Sequence, residues 1–349
     1  MQTNRLIQTV EAHTEGLPVR VVTGGVGPFP GESMAERREW FIENSDDLRT
    51  FLMCEPRGHG WLSGAILQPP TRADADWGVL FIEVTGVLPM CGAGTIAVAT
   101  VLVETGMVPV TSPVTTVRLD APIGLITAEV VVRDGRAESV TIVNVASYAH
   151  ALDQSVEVPG RGTIACDIGF GGNFYAFVSA ADVGIPFERD RAEDFISAGR
   201  EIMSAVNEQI EPVHPETGFR GCEHVVFLTP PTEPGLNGEV PDARHVLINY
   251  PGWLDRSPGG TGTSAPHGRP ACPRAVGSEH GFRQSVLHRH LVHRPPRRGD
   301  DRRRTRGGGA DDHRQRLADR DLAVHARPQR PVPRRIHPLR LLAFADRLP

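Results

Sequence analysis

The sequence predicts an α+β protein built as two similar halves, and three observations carry that expectation. Strand candidates alternate around few helices, as in rolled sheets and unlike the regular strand-helix succession of a doubly wound parallel sheet. Residues 89–106 form an almost wholly apolar helix candidate, which has to be buried on every side. The glycine turn that opens this helix also recurs. Written x-G-x-G-T-x-A, residues 91–97 match residues 259–265, 168 positions further on. A repeat at half-chain distance implies two like domains, each presenting a glycine turn and a helix start.

Taken in order, residues 6–10 and 19–23 are strands of a first hairpin, with residues 11–18 as its turn. Residues 36–44 are a charged helix, and a polar turn at 54–60 precedes a strand at 61–68. A strand at 79–84 leads toward Cys91, and Gly106 suits the left-handed position that ends the buried helix. Strands at 115–119, 125–132 and 139–144 complete a first domain over 1–150. In the second domain, 151–265, strands at 162–168 and 174–179 flank a glycine turn at 169–173. Residues 192–207 form an amphipathic helix with Phe195, Ile196, Ile202, Met203 and Val206 on one side. Strands at 223–228 and 246–249 lead to Asp255 and the second glycine turn, whose helix should begin near Thr261 and be cut off by Pro266.

Composition removes several functional classes. The 349 residues, 40% hydrophobic, suffice for two domains with cores of their own. No apolar run reaches bilayer length, and Met1-Gln2-Thr3-Asn4-Arg5 has no signal-peptide pattern, so a soluble cytoplasmic protein without a membrane partner is expected. Cysteines at 54, 91, 166, 222 and 272 are odd in number and scattered, with no CxxC pair, which indicates neither a disulfide framework nor a metal site. The chain has no lysine and therefore cannot form the Schiff base of a pyridoxal phosphate enzyme. Charge divides it sharply. Residues 1–265 hold 17 arginines against 34 acids, whereas residues 266–349 hold 20 arginines against 8 acids, with Pro, Arg and His in no period. Only Phe282 and Phe344 interleave that tail with aromatic rings, which argues against a nucleic-acid partner.

The chemistry centres on Cys91. Gly92 and Gly94 let the backbone approach a ligand, and the unpaired N–H groups at a helix start suit a carboxylate. A thiol beside such a helix start has its thiolate favoured and can serve as base or nucleophile; the bland alternative is a small buried residue before a core helix. Two glycine turns facing one cleft would grip a small anionic ligand from both sides. On the residues alone, His224 is read first as a buried strand residue and Asp255 as a turn residue making a local Asx bond.

Long motifs then point to a family. Residues 90–97 (MCGAGTIA), residues 255–265 (DRSPGGTGTSA), His13-Thr14 with Gly16, Pro18 and Arg20, Glu55-Pro56-Arg57-Gly58, and Gly171-Gly172-Asn173 together resemble the proline racemase family over roughly residues 1–265. That family comprises proline racemases, 4-hydroxyproline epimerases and trans-3-hydroxyproline dehydratases. The resemblance implies a diaminopimelate-epimerase-like fold, two pseudo-symmetric domains each rolled around a central helix, with the substrate between them, no cofactor, and a homodimer as the partner state. It implies Cys91 as a base, the amides of Gly92, Ala93, Gly260 and Thr261 on the substrate carboxylate, and His224 and Asp255 at the imino nitrogen.

Two positions depart from the family pattern. Ala93 stands where a histidine is common, and Gly259 stands where racemases and epimerases carry a second catalytic cysteine and dehydratases a threonine. Racemase or epimerase, dehydratase with Cys91 as its only base, and inactive relative therefore all stay open. One base change converts a cysteine codon to a glycine codon. With GC-rich codons read one base later, residues 293–301 can encode TGRLVGETT and residues 325–337 can encode TLDPSDPFPAGFT, both like C-terminal segments of this family. Residues after about Ala265 are accordingly expected to be frameshifted, irregular, and unable to complete the second domain's core.

Overall fold

The computed structural model describes residues 6–14, 16–230, 243–255, 257 and 259–265, together with the backbone of three short strands further on. The first half contains β1 (Leu6–Thr14), β2 (Leu17–Gly24), α1 (Met34–Asn44), α2 (Asp46–Met53), β3 (Ser63–Gln68), β4 (Trp77–Glu83), β5 (Val87–Leu88), α3 (Gly92–Glu104), β6 (Val114–Ala121), β7 (Gly124–Arg133) and β8 (Arg136–Val143). The second contains β9 (Tyr148–Val158), β10 (Gly162–Phe170), β11 (Phe174–Ser179), α4 (Ala192–Gln209), β12 (Cys222–Thr229), β13 (Ala243–Asn249), β14 (Trp253–Leu254) and α5 (Gly260–Ser264). Two mixed sheets result, β8-β7-β6-β4-β3-β2-β1 and β14-β13-β12-β11-β10-β9, with β5 paired on β4.

The repeat seen in the glycine turns is a repeat of topology. In the first half an antiparallel hairpin, β1–β2, is followed by a helical crossover to parallel β3, an antiparallel return in β4, a short antiparallel strand β5, and a helix start. In the second, β10–β11, the α4 crossover to parallel β12, the return in β13, short β14 and the start of α5 repeat that order. Each parallel step requires a long connection, and α1–α2 and α4 supply it. This is the α+β architecture of two rolled sheets that the sequence predicts.

The enclosed helix owes its place to composition. Ten of its thirteen residues are Ala, Val, Leu, Ile or Thr, and Val98, Ala99 and Leu102 are fully buried against Val19, Phe81, Leu119 and Ile126 of the sheet. Its end has the expected form: Gly106 has φ +69°, its N–H donates to the Val103 carbonyl, and the Met107 N–H donates to that of Leu102. The other face of the sheet is covered by α1 and α2 through Met34, Phe41, Leu48 and Leu52. In the second sheet α4 covers one face with Phe195, Ile202, Met203 and Val206, while Tyr175, Phe177, Val226, Leu228 and Leu247 line the other, where α5 begins. There the likeness of the halves ends, since α5 has five residues against thirteen in α3.

Several local expectations shift. The first hairpin is tighter than its polar residues imply: β1 runs to Thr14, which pairs with Leu17, because Glu11 and His13 point out of the ladder and cost nothing there. Helix α1 starts two residues early at a Ser33 cap whose hydroxyl accepts from the Glu36 N–H. The sequence reading missed α2 and β9. The first is only eight residues long, and the second has only two of its eleven residues buried, formed by pairing with β10 rather than by any alternation of its own. Beyond Ala265, backbone strands β15 (Gln284–Val286), β16 (Val324–Ala326) and β17 (Arg340–Ala343) pair with β13, β8 and β1. The remaining expectations for the 266–349 tail lie outside the described residues.

Candidate active site

The two helix starts meet. Cys91 is the N-cap of α3, with extended backbone at φ −140° and ψ 113°, and its Sγ accepts the Gly94 N–H at 3.3 Å. That leaves the Gly92 and Ala93 amides, the first two of the helix, without intrahelical partners. Gly94 has to be glycine, since a Cβ there would sit 2.8 Å from the Phe81 ring. Across the cleft α5 starts at Gly259, and a Cβ added to Gly92 would come within 4.0 Å of the Thr261 nitrogen. The β10–β11 turn seats α5: a Cβ on Gly171 would lie 2.2 Å from the Thr261 carbonyl oxygen. Asn173 ties the halves together by donating from Nδ2 to the Met90 carbonyl at 2.9 Å, and Tyr175 bonds the Thr261 hydroxyl.

A polar chain forms one wall. His224 on β12 is 5% exposed, stacks on Tyr175, and places Nδ1 2.8 Å from Asn249 Oδ1. Asn249 Nδ2 donates to Asp255 Oδ2 at 3.1 Å, and Asp255 Oδ1 accepts the Ser257 N–H at 2.7 Å. Because the amide nitrogen of Asn249 serves the carboxylate, its oxygen faces the ring, so His224 carries its proton on Nδ1 and keeps an acceptor at Nε2. Burial lowers the His224 pKa against the opposing pull of Glu223, and a neutral ring results.

The thiol differs from its sequence-based expectation. Helix-start donors favour a thiolate, yet burial dominates and, with the charge of Glu83, pushes the Cys91 thiol up to about 12; the Gly94 N–H and Ser63 only moderate this. Glu83 itself, at the end of β4, is pushed up to about 8, first by burial and then by the charge of Asp255. The two N-caps also differ. Gly259 sits at φ +66°, ψ 49°, a left-handed conformation that Cys91 does not share, and a Cβ there would lie 3.3 Å from Nε2 of buried His245. Among the described residues Nδ1 of His245 has no hydrogen-bond partner, and burial draws its pKa down to about 4.

Cys91, Gly92, Ala93, His224, Asp255, Gly259, Gly260 and Thr261, all singled out from sequence, line one cleft. Arg256 and Pro258 of the same motif lie outside the described residues. Glu83, Asn173, Tyr175, Asn249 and Ser257 line it too and were not singled out as individual site residues. Glu83 had a readable signal, a lone acid closing a strand that is otherwise Trp, Gly, Val, Leu, Phe and Ile. Among the described residues no group of His, Cys, Asp and Glu is arranged to hold a metal ion, and no helix is long and apolar enough to cross a membrane.

The chain is similar in sequence and in overall structure to known proteins. A 4-hydroxyproline 2-epimerase of Streptosporangium roseum is 58% identical over 266 residues, 76% of this chain and 78% of that protein. A proline racemase of Clostridioides difficile is 39% identical over 266 residues, with the same coverage of each chain. The crystal structure of a hydroxyproline epimerase from Agrobacterium vitis with bound trans-4-hydroxy-L-proline superposes with a TM-score of 0.69 at 32% identity, covering 76% of both chains. Residues 9–278 match the family described as proline racemase, and the chain belongs to that family.

Proposed function

We propose that the chain is a cofactor-independent racemase or epimerase of proline or hydroxyproline. The observation that carries this reading is the convergence of one thiol, two helix starts and the His224–Asn249–Asp255 chain on a single cleft. A zwitterionic imino acid presents the complementary charges. Its carboxylate meets the amides of Gly92, Ala93, Gly260 and Thr261, and its cationic nitrogen meets the acceptor Nε2 of His224 and the carboxylate of Asp255. Cys91, as thiolate, removes the α-proton, the amides stabilise the carboxylate as it gains enediolate character, and solvent returns a proton to the opposite face, where Gly259 carries no donor. The names of the relatives support the substrate class. The free thiols of Cys54, Cys91, Cys166 and Cys222 suit a cytoplasmic location.

Incubation in deuterated solvent with both enantiomers of proline and with trans-4-hydroxy-L-proline tests this reading. Deuterium at Cα together with the inverted isomer is the expected result. Release of a keto acid from trans-3-hydroxyproline would instead mark a dehydratase, and no exchange with any substrate would mark an inactive relative.

The same proposal includes the chain's division into a first domain over 1–150, a second over 151–265, and a frameshifted tail. Its support is the charge reversal after Ala265 and a family match that ends at residue 278. Clusters of arginine cannot fill the second sheet's remaining face, since an unpaired guanidinium in a core costs several kcal/mol. Limited trypsin digestion should therefore cut first within 266–349 and leave a resistant fragment ending near 265. First cuts within 1–265 would count against the division.

A further inference from the structure

Glu83 is a carboxyl group of the cleft that the proposed chemistry leaves unused. It is 6% exposed, and its Oε1 accepts a hydrogen bond from the Ser63 hydroxyl at 2.9 Å, from the residue directly opposite on β3. The same hydroxyl lies 3.9 Å from Cys91 Sγ. A serine hydroxyl has one proton, and here it is directed at the carboxylate, so toward sulfur the oxygen offers a lone pair. The arrangement has a direction, from S–H to hydroxyl to carboxylate. Other charged groups around Glu83 are Asp255 and Glu223, both raising its affinity for a proton, and Arg49, which meets it through the backbone carbonyl at 3.0 Å.

Resting on the racemase reading, we infer that Glu83 is a positioning residue that takes the Cys91 proton through Ser63 and so generates the catalytic thiolate. The S–H bond breaks as an O–H bond forms on Ser63, and the hydroxyl's original proton passes to Glu83 Oε1. Thiol and carboxylate become thiolate and carboxylic acid, with no change of charge in the cleft and no electron transferred to an acceptor. When the thiolate then takes the α-proton, Glu83 is neutral at the moment negative charge develops on the substrate. Burial first, and then the surrounding acids, raise the carboxyl to about 8, which suits it to hold that proton at neutral pH.

Glu83→Gln in the full chain tests the inference, because the amide oxygen can still accept from Ser63 while the side chain can no longer take a proton. Two readouts should move in opposite directions. Removing the charge beside the thiol should raise iodoacetamide alkylation of Cys91 at pH 8, followed by peptide mass spectrometry, by about tenfold for each unit by which the thiol pKa falls. Losing the acceptor should slow α-proton exchange by about 100-fold with little change in KM. A purely structural role would not raise alkylation while lowering kcat. Unchanged alkylation, or exchange that rises along with alkylation, overturns the inference. Should Glu83→Gln fail to fold, Ser63→Ala takes its place, and exchange at the parent rate overturns the relay. If the parent itself shows no exchange, the racemase reading fails, and the alkylation arm alone decides whether Glu83 governs the thiol.

Discussion

Replacing Cys91 by serine should abolish α-proton exchange to within detection, a loss of at least about 1,000-fold, within the range general bases contribute. Stability should barely change. The side chain caps α3 by accepting the Gly94 N–H, and a serine hydroxyl is among the best residues for that role, so the helix keeps its cap. What disappears is the acid–base function, because a hydroxyl buried at this point holds its proton far more tightly than a thiol. The measurement is deuterium incorporation at Cα by NMR, beside a thermal unfolding curve. Exchange at the parent rate in Cys91→Ser would show that the base lies elsewhere, with Glu83 the next group to replace.

The pH dependence follows from the same geometry. The thiol titrates far above neutrality and Glu83 near 8, so at neutral pH Cys91 is a thiol and Glu83 is mostly the protonated acid. The relay requires Glu83 to begin as carboxylate, so exchange should rise as pH climbs through about 8. The sign for stability is the opposite. A carboxyl whose pKa is raised on folding disfavours the folded state once it ionises, so the fold should weaken from the unfolded carboxylate range up through about 8.

How far the sequence discloses this site depends on the kind of group. Cys91, Gly259 and the helix-start amides were legible because backbone demands leave marks: glycines at fixed spacing ahead of an apolar run have few uses besides a close approach at a helix start. His224 and Asp255 were legible through family resemblance alone, since a histidine in a strand and an aspartate in a turn have common structural uses. Asn249, Ser63 and Glu83 act across strand pairs, His224 with Asn249 and Ser63 with Glu83, and register between strands 20 or more residues apart is set by the whole sheet. The thiol's reading went astray for a related reason. A helix start is visible in sequence, whereas the enclosure of Cys91 between two domains, which dominates its proton affinity, is a property of the assembled cleft.

Installing the second thiol should produce the largest gain. Gly259 occupies the N-cap of α5 as Cys91 occupies that of α3, on the opposite side of the cleft, so a cysteine there would give the far face of the substrate a proton donor that glycine lacks. His245 is placed to serve it: a Cβ at 259 lies 3.3 Å from Nε2 of that buried imidazole, within reach of a thiol one bond further out. The substitution is strained as the backbone stands. An L-residue in the left-handed region costs about 1–2 kcal/mol, and the Cβ would press on Leu247 Cδ2 at 3.2 Å. The expected outcome is a melting temperature a few degrees lower, or a local turn of residue 259 into the extended conformation of Cys91, together with racemisation raised by at least about 100-fold, the lower end of what one general acid supplies. Optical rotation of proline and of 4-hydroxyproline follows the rate. Gly259→Cys with His245→Asn should keep the thiol and lose part of the gain, which separates the imidazole's contribution from that of sulfur. A folded Gly259→Cys protein that racemises no faster than the parent would end the two-base reading for this chain.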